Sequence, residues 1–353
     1  MSLKKLNKTQ KSAVEAIDGP VLIFAGAGSG KTRVLTHKLF HLVKEGLFKP
    51  EEILAVTFTN KAAKEMENRV KKLLGTDDLL LSIGTFHSIC AKILREDIKA
   101  LGFSSSFAIY DVKDQLDLIK VLFEQYGISK NLISPNQLRN QISLHKNKMI
   151  DCNTVKRKAR TKLEKTISDI YTEYQKSLKI NDALDFDDLL TFPLEIFHKK
   201  PTVLKKYQRK WKYILVDEYQ DTNRAQFELL TLLAKEHQNI CVVGDDDQSI
   251  YGWRGANVSN ILDFENTFSS CRVFTLEKNY RSTQEILDAA TAVVKNNDRR
   301  ANKNLTAANG PGETLGLIET IDEQEEASAI ISSIEKEIKL NKRTFSHFSV
   351  LYR

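Results

Sequence analysis

Short apolar runs alternate with stretches of helical spacing through the first 276 residues of the chain. The runs are VLIFA (21–25), ILAVTFT (53–59), YILVDE (213–218), ICVVGD (240–245) and VFTL (273–276). They are rich in β-branched residues and nearly free of charge until their ends, as strands covered on both faces are. Between them, KAAKEMENRVKKLL places Ala63, Met66, Val70 and Leu73 three and four residues apart, the apolar stripe of an amphipathic helix. Strand–helix alternation of this kind predicts an α/β fold around a parallel sheet.

The pattern changes twice. From about 111 to 183 the strand signal vanishes into Leu, Ile, Lys, Glu and Gln-rich helical stretches, and DFDDLL (185–190) marks the return. This predicts a helical module inserted into the α/β domain. A third region opens near 277, with a helix around Thr283–Asn296, a polar loop NKNLTAANGPGET, and two strand candidates, TLGLIE (314–319) and FSVLYR (348–353). The expected division is therefore 1–110 and 184–276 for one domain, 111–183 for its insertion, and 277–353 for the start of another. One helix and two strands are too few for a complete domain, so the expectation is a chain that stops within it.

Composition narrows the class. Of 353 residues, 41% are hydrophobic and 28% charged, ordinary values for a globular protein. No apolar run approaches the ~18 residues a membrane helix needs, and MSLKKLNKTQ has no secretory core, so a cytoplasmic location without membrane partners is expected. Cys90, Cys152, Cys241 and Cys271 are scattered, which argues against a disulfide framework or a zinc site. Net charge is only +7, but Lys130–Lys165 holds ten basic residues opposed by Asp151 and Glu164 alone. Such a run suits either a polyanion or a solvated helix face.

The chemistry begins at VLIFAGAGSGKTRVL, which reads as strand, glycine-rich loop and helix. Gly26, Gly28 and Gly30 let backbone N–H groups converge on phosphate oxygens. Lys31 can reach the β- and γ-phosphates, and the Thr32 hydroxyl can ligate Mg²⁺. Ala25 stands where the strict pattern has glycine, and small size suffices. The whole cradle, Ala25, Gly26, Ala27, Gly28, Ser29, Gly30, Lys31, Thr32 and Arg33, is the expected ATP-binding segment. An acidic pair at a strand end is ordinarily just solvated. Here Asp217 and Glu218 close an apolar run in a chain with a phosphate loop, so Asp217 is expected to hold Mg²⁺ and Glu218 to activate water. Gln10 has an amide suited to adenine, Tyr280 a face for the base, and Arg281 a cation for the γ-phosphate, although each, read alone, is equally an ordinary surface residue. VGDDDQSIYGWRGA (243–256) mixes carboxylates with aromatics and an arginine, the vocabularies of phosphate and of nucleobases.

The series LNKTQ, AGAGSGKT, TFTNKAAKEM, GTFHS, LDFDDL, VDEYQD, VGDDDQSIYGWRGA, NYRST and SVLYR, in this order, resembles the superfamily 1A DNA helicases of the UvrD/Rep/PcrA type. The match runs the length of the chain. The resemblance implies two RecA-like P-loop NTPase domains, 1A and 2A, with helical insertions 1B and 2B. It implies ATP between 1A and 2A, single-stranded DNA and single/double-strand junctions as partners, and 3′–5′ translocation and unwinding in repair or replication. It gives Gln248 the γ-phosphate, Arg281 a finger's role, Tyr280 the adenine, and DNA to Phe58, Asn60, His87, Phe186, Tyr251, Trp253, Arg254 and Arg353. Stacking on aromatics contributes ~1–3 kcal/mol per base whatever the sequence, which suits a motor. By this reading 243–256 is a coupling element, with Gln248 toward phosphate and Tyr251, Trp253 and Arg254 toward DNA. Asp245, Asp246 and Asp247 then shape the loop, and Asp217 is the metal ligand. A TxHxxKGLE-like motif, a second arginine-finger motif and the 2B insertion do not occur in these residues, so weak ATPase activity is expected of them alone. The rival readings are a helicase–nuclease subunit of the RecB/AddA kind and a DNA clamp without motor activity.

Overall fold

The computed structural model describes residues 3–352, without the side chain of Arg254. Six strands form its parallel sheet: β1 Val21–Ala25, β2 Ile53–Thr57, β3 Ser82–Thr85, β6 Tyr213–Val216, β7 Ile240–Gly244 and β8 Arg272–Leu276, in the order β3-β2-β6-β7-β1-β8. The register is continuous, with Val21 opposite Cys241 on one side and Arg272 on the other. Period-two alternation explains why the strands read as uninterrupted apolar runs. Val21, Ile23 and Ala25 pack on one face with Ala55 and Leu215, under α1 Lys8–Glu15, α2 Lys31–Lys44 and α3 Asn60–Leu74. Leu22, Phe24, Leu54, Ile214 and Val216 pack on the other, under α4 Phe86–Asp97, α9 Phe186–Lys199, α10 Pro201–Lys210 and α11 Arg224–Ala234.

The insertion is all-helical, as expected: α5 Val112–Gln125, α6 Pro135–Asn147, α7 Cys152–Lys158 and α8 Lys162–Ile180 surround their own core of Ile119, Phe123, Leu138, Ile142, Ile170 and Tyr174. Two short strands, β4 Ala108–Tyr110 and β5 Ala183–Asp185, pair in parallel and close its neck. One of the ten basic residues from 130 to 165 is not a surface charge. Lys146 is buried, 2.6 Å from Asp185 and 2.7 Å from Asp188.

Just before β8 lie α12 Ser259–Leu262 and α13 Phe264–Thr267; after it come the parallel pair β9 Lys278–Asn279 with β10 Thr306–Ala307, α14 Gln284–Val294 and α15 Glu323–Asn341. The two last strand candidates are overturned: 314–319 and 348–352 form no strand. A strand needs a hydrogen-bonded neighbour, and none lies beside Leu315, Leu317 or Leu351, which are exposed. The strand ends at 58–59, 217–218 and 245 also fall outside the ladder. Among the described residues all four cysteines are free thiols, and no helix is long and apolar enough to cross a membrane.

Candidate functional site

Nearly every candidate residue sits at the C-terminal edge of the sheet, where ligands of open α/β folds bind. The loop between β1 and α2 turns on Gly28 (φ 69°) and Gly30 (φ 92°), in the left-handed region that glycine adopts without penalty. Ser29 Oγ donates to the Gly26 carbonyl at 2.7 Å and locks the turn. Lys31 then opens α2. Its Nζ lies 3.0 Å from Glu218 Oε2 as an ion pair, yet its buried donors have no hydrogen-bond partner. Thr32 Oγ1 donates to Asp217 Oδ2 at 3.2 Å. Burial, reinforced by the Glu218 charge, raises the Asp217 carboxyl to about 6. These four groups form one cluster of a cation, a hydroxyl and two carboxylates. That donor set suits a phosphate with a hard, oxygen-seeking cation.

Glu218 reaches this cluster through a left-handed backbone (φ 52°), which costs a non-glycine residue roughly 1–2 kcal/mol. Its carboxylate also accepts from Gln220 Nε2 at 2.9 Å. Gln220 Oε1 in turn accepts the N–H of Asp245 at 3.0 Å, an approach that a side chain on Gly244 would block. Asp245 Oδ2 accepts from Gln248 Nε2 at 2.5 Å. A line of contacts thus joins Lys31 to Gln248.

Other expected nucleotide contacts are differently employed. Ala25 ends β1 fully buried. The Arg33 guanidinium donates to the Lys5 carbonyl at 2.5 Å. Gln10 is buried with both ends of its amide engaged: Nε2 donates to Ser29 O at 2.9 Å, and Oε1 accepts from Asn7 N in a capping box. Any base contact must displace one of these. Tyr280 is brought to the same corner, its hydroxyl accepting from Asn7 Nδ2 at 2.9 Å. Arg281 stands beside Gly28. Both are carried by Asn279, whose Nδ2 donates to Ala27 O at 2.5 Å while its Oδ1 accepts the N–H groups of Arg281 and Ser282. Leu305 packs directly on Gly26. The region after β8 therefore lies against the phosphate loop.

A groove of about 720 Å³ opens on the other side of the 245–256 segment. Phe58, His87, Tyr251 and Trp253 line it, opposite Arg139, Asn140 and Asn147 of α6. The motif residues divide two jobs. Thr59, Thr85 and Asp185 cap α3, α4 and α9, and the neighbouring Phe58, His87 and Phe186 present their rings. His87 meets Phe186 edge-on at 5.9 Å, but Phe186 itself lines a neighbouring cleft beside α5 rather than the groove. Asn60 is exposed at the start of α3, beside the groove rather than in its lining. The Arg254 side chain and Arg353 lie outside the described residues. Arg139, counted from sequence only within the basic run, and Ser143 and Asn147, missed from it, recur four apart in QLRNQISLHKN, a polar stripe that would have marked this wall. Arg139 Nε is buried there without a hydrogen-bond partner.

The three aspartates at 245–247 lie close enough together to hold a metal ion, but a cation of the chain is already among them. Lys303 Nζ stands 2.6 Å from Asp245 and 3.0 Å from Asp247, and also contacts Asp246. The expectation that these acids shape the loop agrees with that arrangement.

Residues 6–269 match the UvrD/REP helicase N-terminal domain family, and 274–353 the UvrD-like helicase C-terminal domain family. The chain is 45% identical over 353 residues to the ATP-dependent DNA helicase PcrA of Bacillus subtilis, covering 99% of this chain and 48% of that protein. It is 44% identical over 351 residues to the protein of the same name from Staphylococcus aureus and 43% to that from Staphylococcus epidermidis, with the same coverage. The chain spans about half the length of the curated relatives it matches. With motifs, sheet topology and both domain matches in agreement, the chain belongs to the UvrD/REP helicase family, of the UvrD/Rep/PcrA type.

Proposed function

We propose that this chain supplies the nucleotide cradle and much of the single-strand track of an ATP-driven 3′–5′ DNA helicase. The observation that carries the reading is the segment Asp245–Trp253. One end is joined through Gln220 to Glu218 and Lys31, and the other lines an aromatic groove. In this proposal 1–110 and 184–276 are domain 1A, 111–183 is 1B, and 2A begins at 277.

Thr32 and Asp217 would hold Mg²⁺, which would supply positive charge against the phosphates. Lys31 offers phosphate oxygens the ammonium that here faces Glu218. As phosphate takes that ammonium, Glu218 is released to orient and deprotonate water. Gln248 senses the γ-phosphate, Arg281 stabilises developing charge, and Tyr280 with Gln10 borders the adenine. Phe58, His87, Tyr251 and Trp253 stack on bases, and a protein of this kind works in the cytosol on strands and junctions.

The test is strand displacement by the native protein that carries this chain, on a duplex with a 3′ single-stranded tail. ATP-dependent displacement is expected, with Lys31→Ala abolishing it. Displacement that persists in Lys31→Ala, or that requires a 5′ tail, would overturn the assignment.

A further inference from the structure

Beyond the contacts already assigned, the cluster around Asp245 contains a side chain that no helicase motif accounts for. Lys303 comes from the loop after α14, 58 residues from Asp245 in sequence, and is 1% exposed. Its loop is pinned in three further places. Arg300 makes a two-pronged pair with Asp247 at 2.9 and 3.1 Å, Ala301 N donates to Asp246 Oδ2 at 2.7 Å, and Asn297 Nδ2 donates to Asp247 at 3.3 Å.

We propose that Lys303 is a positioning residue for ATP hydrolysis, fixing Asp245, and through it Gln248, from the region beyond the sheet. The two oxygens of Asp245 divide the work: Oδ1 takes Lys303 at 2.6 Å and Oδ2 takes Gln248 at 2.5 Å. The Asp245 N–H continues to Gln220 and thence to Glu218. A carboxylate with one oxygen clamped by a buried ammonium has little freedom to swing, so its other oxygen fixes Gln248. The same loop presses Leu305 onto Gly26. A shift of the second region relative to the sheet therefore moves the phosphate loop and Gln248 together. Burial is essential to this role, because an exposed Lys–Asp pair would be too loose to orient a partner.

This inference rests on the hydrolysis proposed above, and the experiment separates the two. Steady-state ATP hydrolysis is measured with single-stranded DNA for the native protein, Lys303→Met and Lys303→Arg. Lys303→Met is expected to lower kcat about tenfold or more while KM for ATP changes less than about threefold, and Lys303→Arg to recover part of the loss. In a Gln248→Ala background the further loss should be less than about threefold, because residues acting as one unit are not additive. Should the lost cation unfold the protein, Lys303→Met with Asp246→Asn removes one charge of each sign and must show the same kcat loss. A folded variant with wild-type kcat, or full additivity with Gln248→Ala, overturns the role of Lys303. A wild type without any hydrolysis overturns the proposed function instead.

Discussion

His87 shows how a single ring in the groove ties stability to pH. Half-enclosed and set edge-on against Phe186, it loses hydration when charged, and burial holds its pKa below the ordinary 6.5. The folded state then binds fewer protons than the unfolded chain, so this residue makes stability rise with pH and fall below the ordinary imidazole value. His87→Phe should lose less stability than wild type between about pH 7 and about pH 5.5, measured by urea unfolding. Equal losses would show that the ring is not sequestered. At this scale the legible residues were those whose role is written in adjacent positions. Gly30, Lys31 and Thr32 announce a phosphate loop, and Asp217 with Glu218 closes a strand. Gln220, Asn279 and Lys303 were not legible. Each acts through partners far away in sequence: Gln220 and Asn279 lie inside VDEYQD and NYRST, but nothing there names the partner, and nothing around Lys303 marks it.

Among elements, α6 links the insertion to the sheet domain. Its last turn carries Lys146 into the start of α9, between Asp185 and Asp188, with Tyr174 Oη donating to Asp185 at 3.0 Å. One cation faces two buried carboxylates. Burial and the neighbouring Asp185 raise Asp188 to about 7. The next residue, Asn147, donates to Asp187 at 2.9 Å and accepts from Asn223 at 2.7 Å, extending the tie to the cap of α11. Removing the cation strands the acids, so Lys146→Met should destabilise by roughly 3–5 kcal/mol in denaturant unfolding. A loss below about 1 kcal/mol would mean that the acids pair elsewhere. The sequence marked Lys146 only as one charge in a basic run, because a buried lysine and a solvated one look alike there. Long elements were easier to read: all five expected sheet strands are present. β3, β4 and β5 escaped because three or four residues carry little periodicity, and TLGLIE misled because apolar content does not supply a strand partner.

The molecule as a whole places the two proposed sites on opposite sides of one segment. Toward the region after β8 lie Lys31, Glu218 and Gln248, and toward α6 lies the groove of Phe58, His87, Tyr251 and Trp253. Between them run a few side-chain contacts, through which the proposed function passes a shift in one site to the other. Net charge adds little to this, since +7 is modest and its densest run is partly internal. In the proposed function the two sites are coupled. Its most direct test is the steady-state ATP hydrolysis rate of the native protein with and without single-stranded oligo(dT). Saturating DNA is expected to raise the rate about tenfold or more, with the effect lost as rising salt displaces the strand. An unchanged rate, under conditions where the oligonucleotide is demonstrably bound, would contradict it.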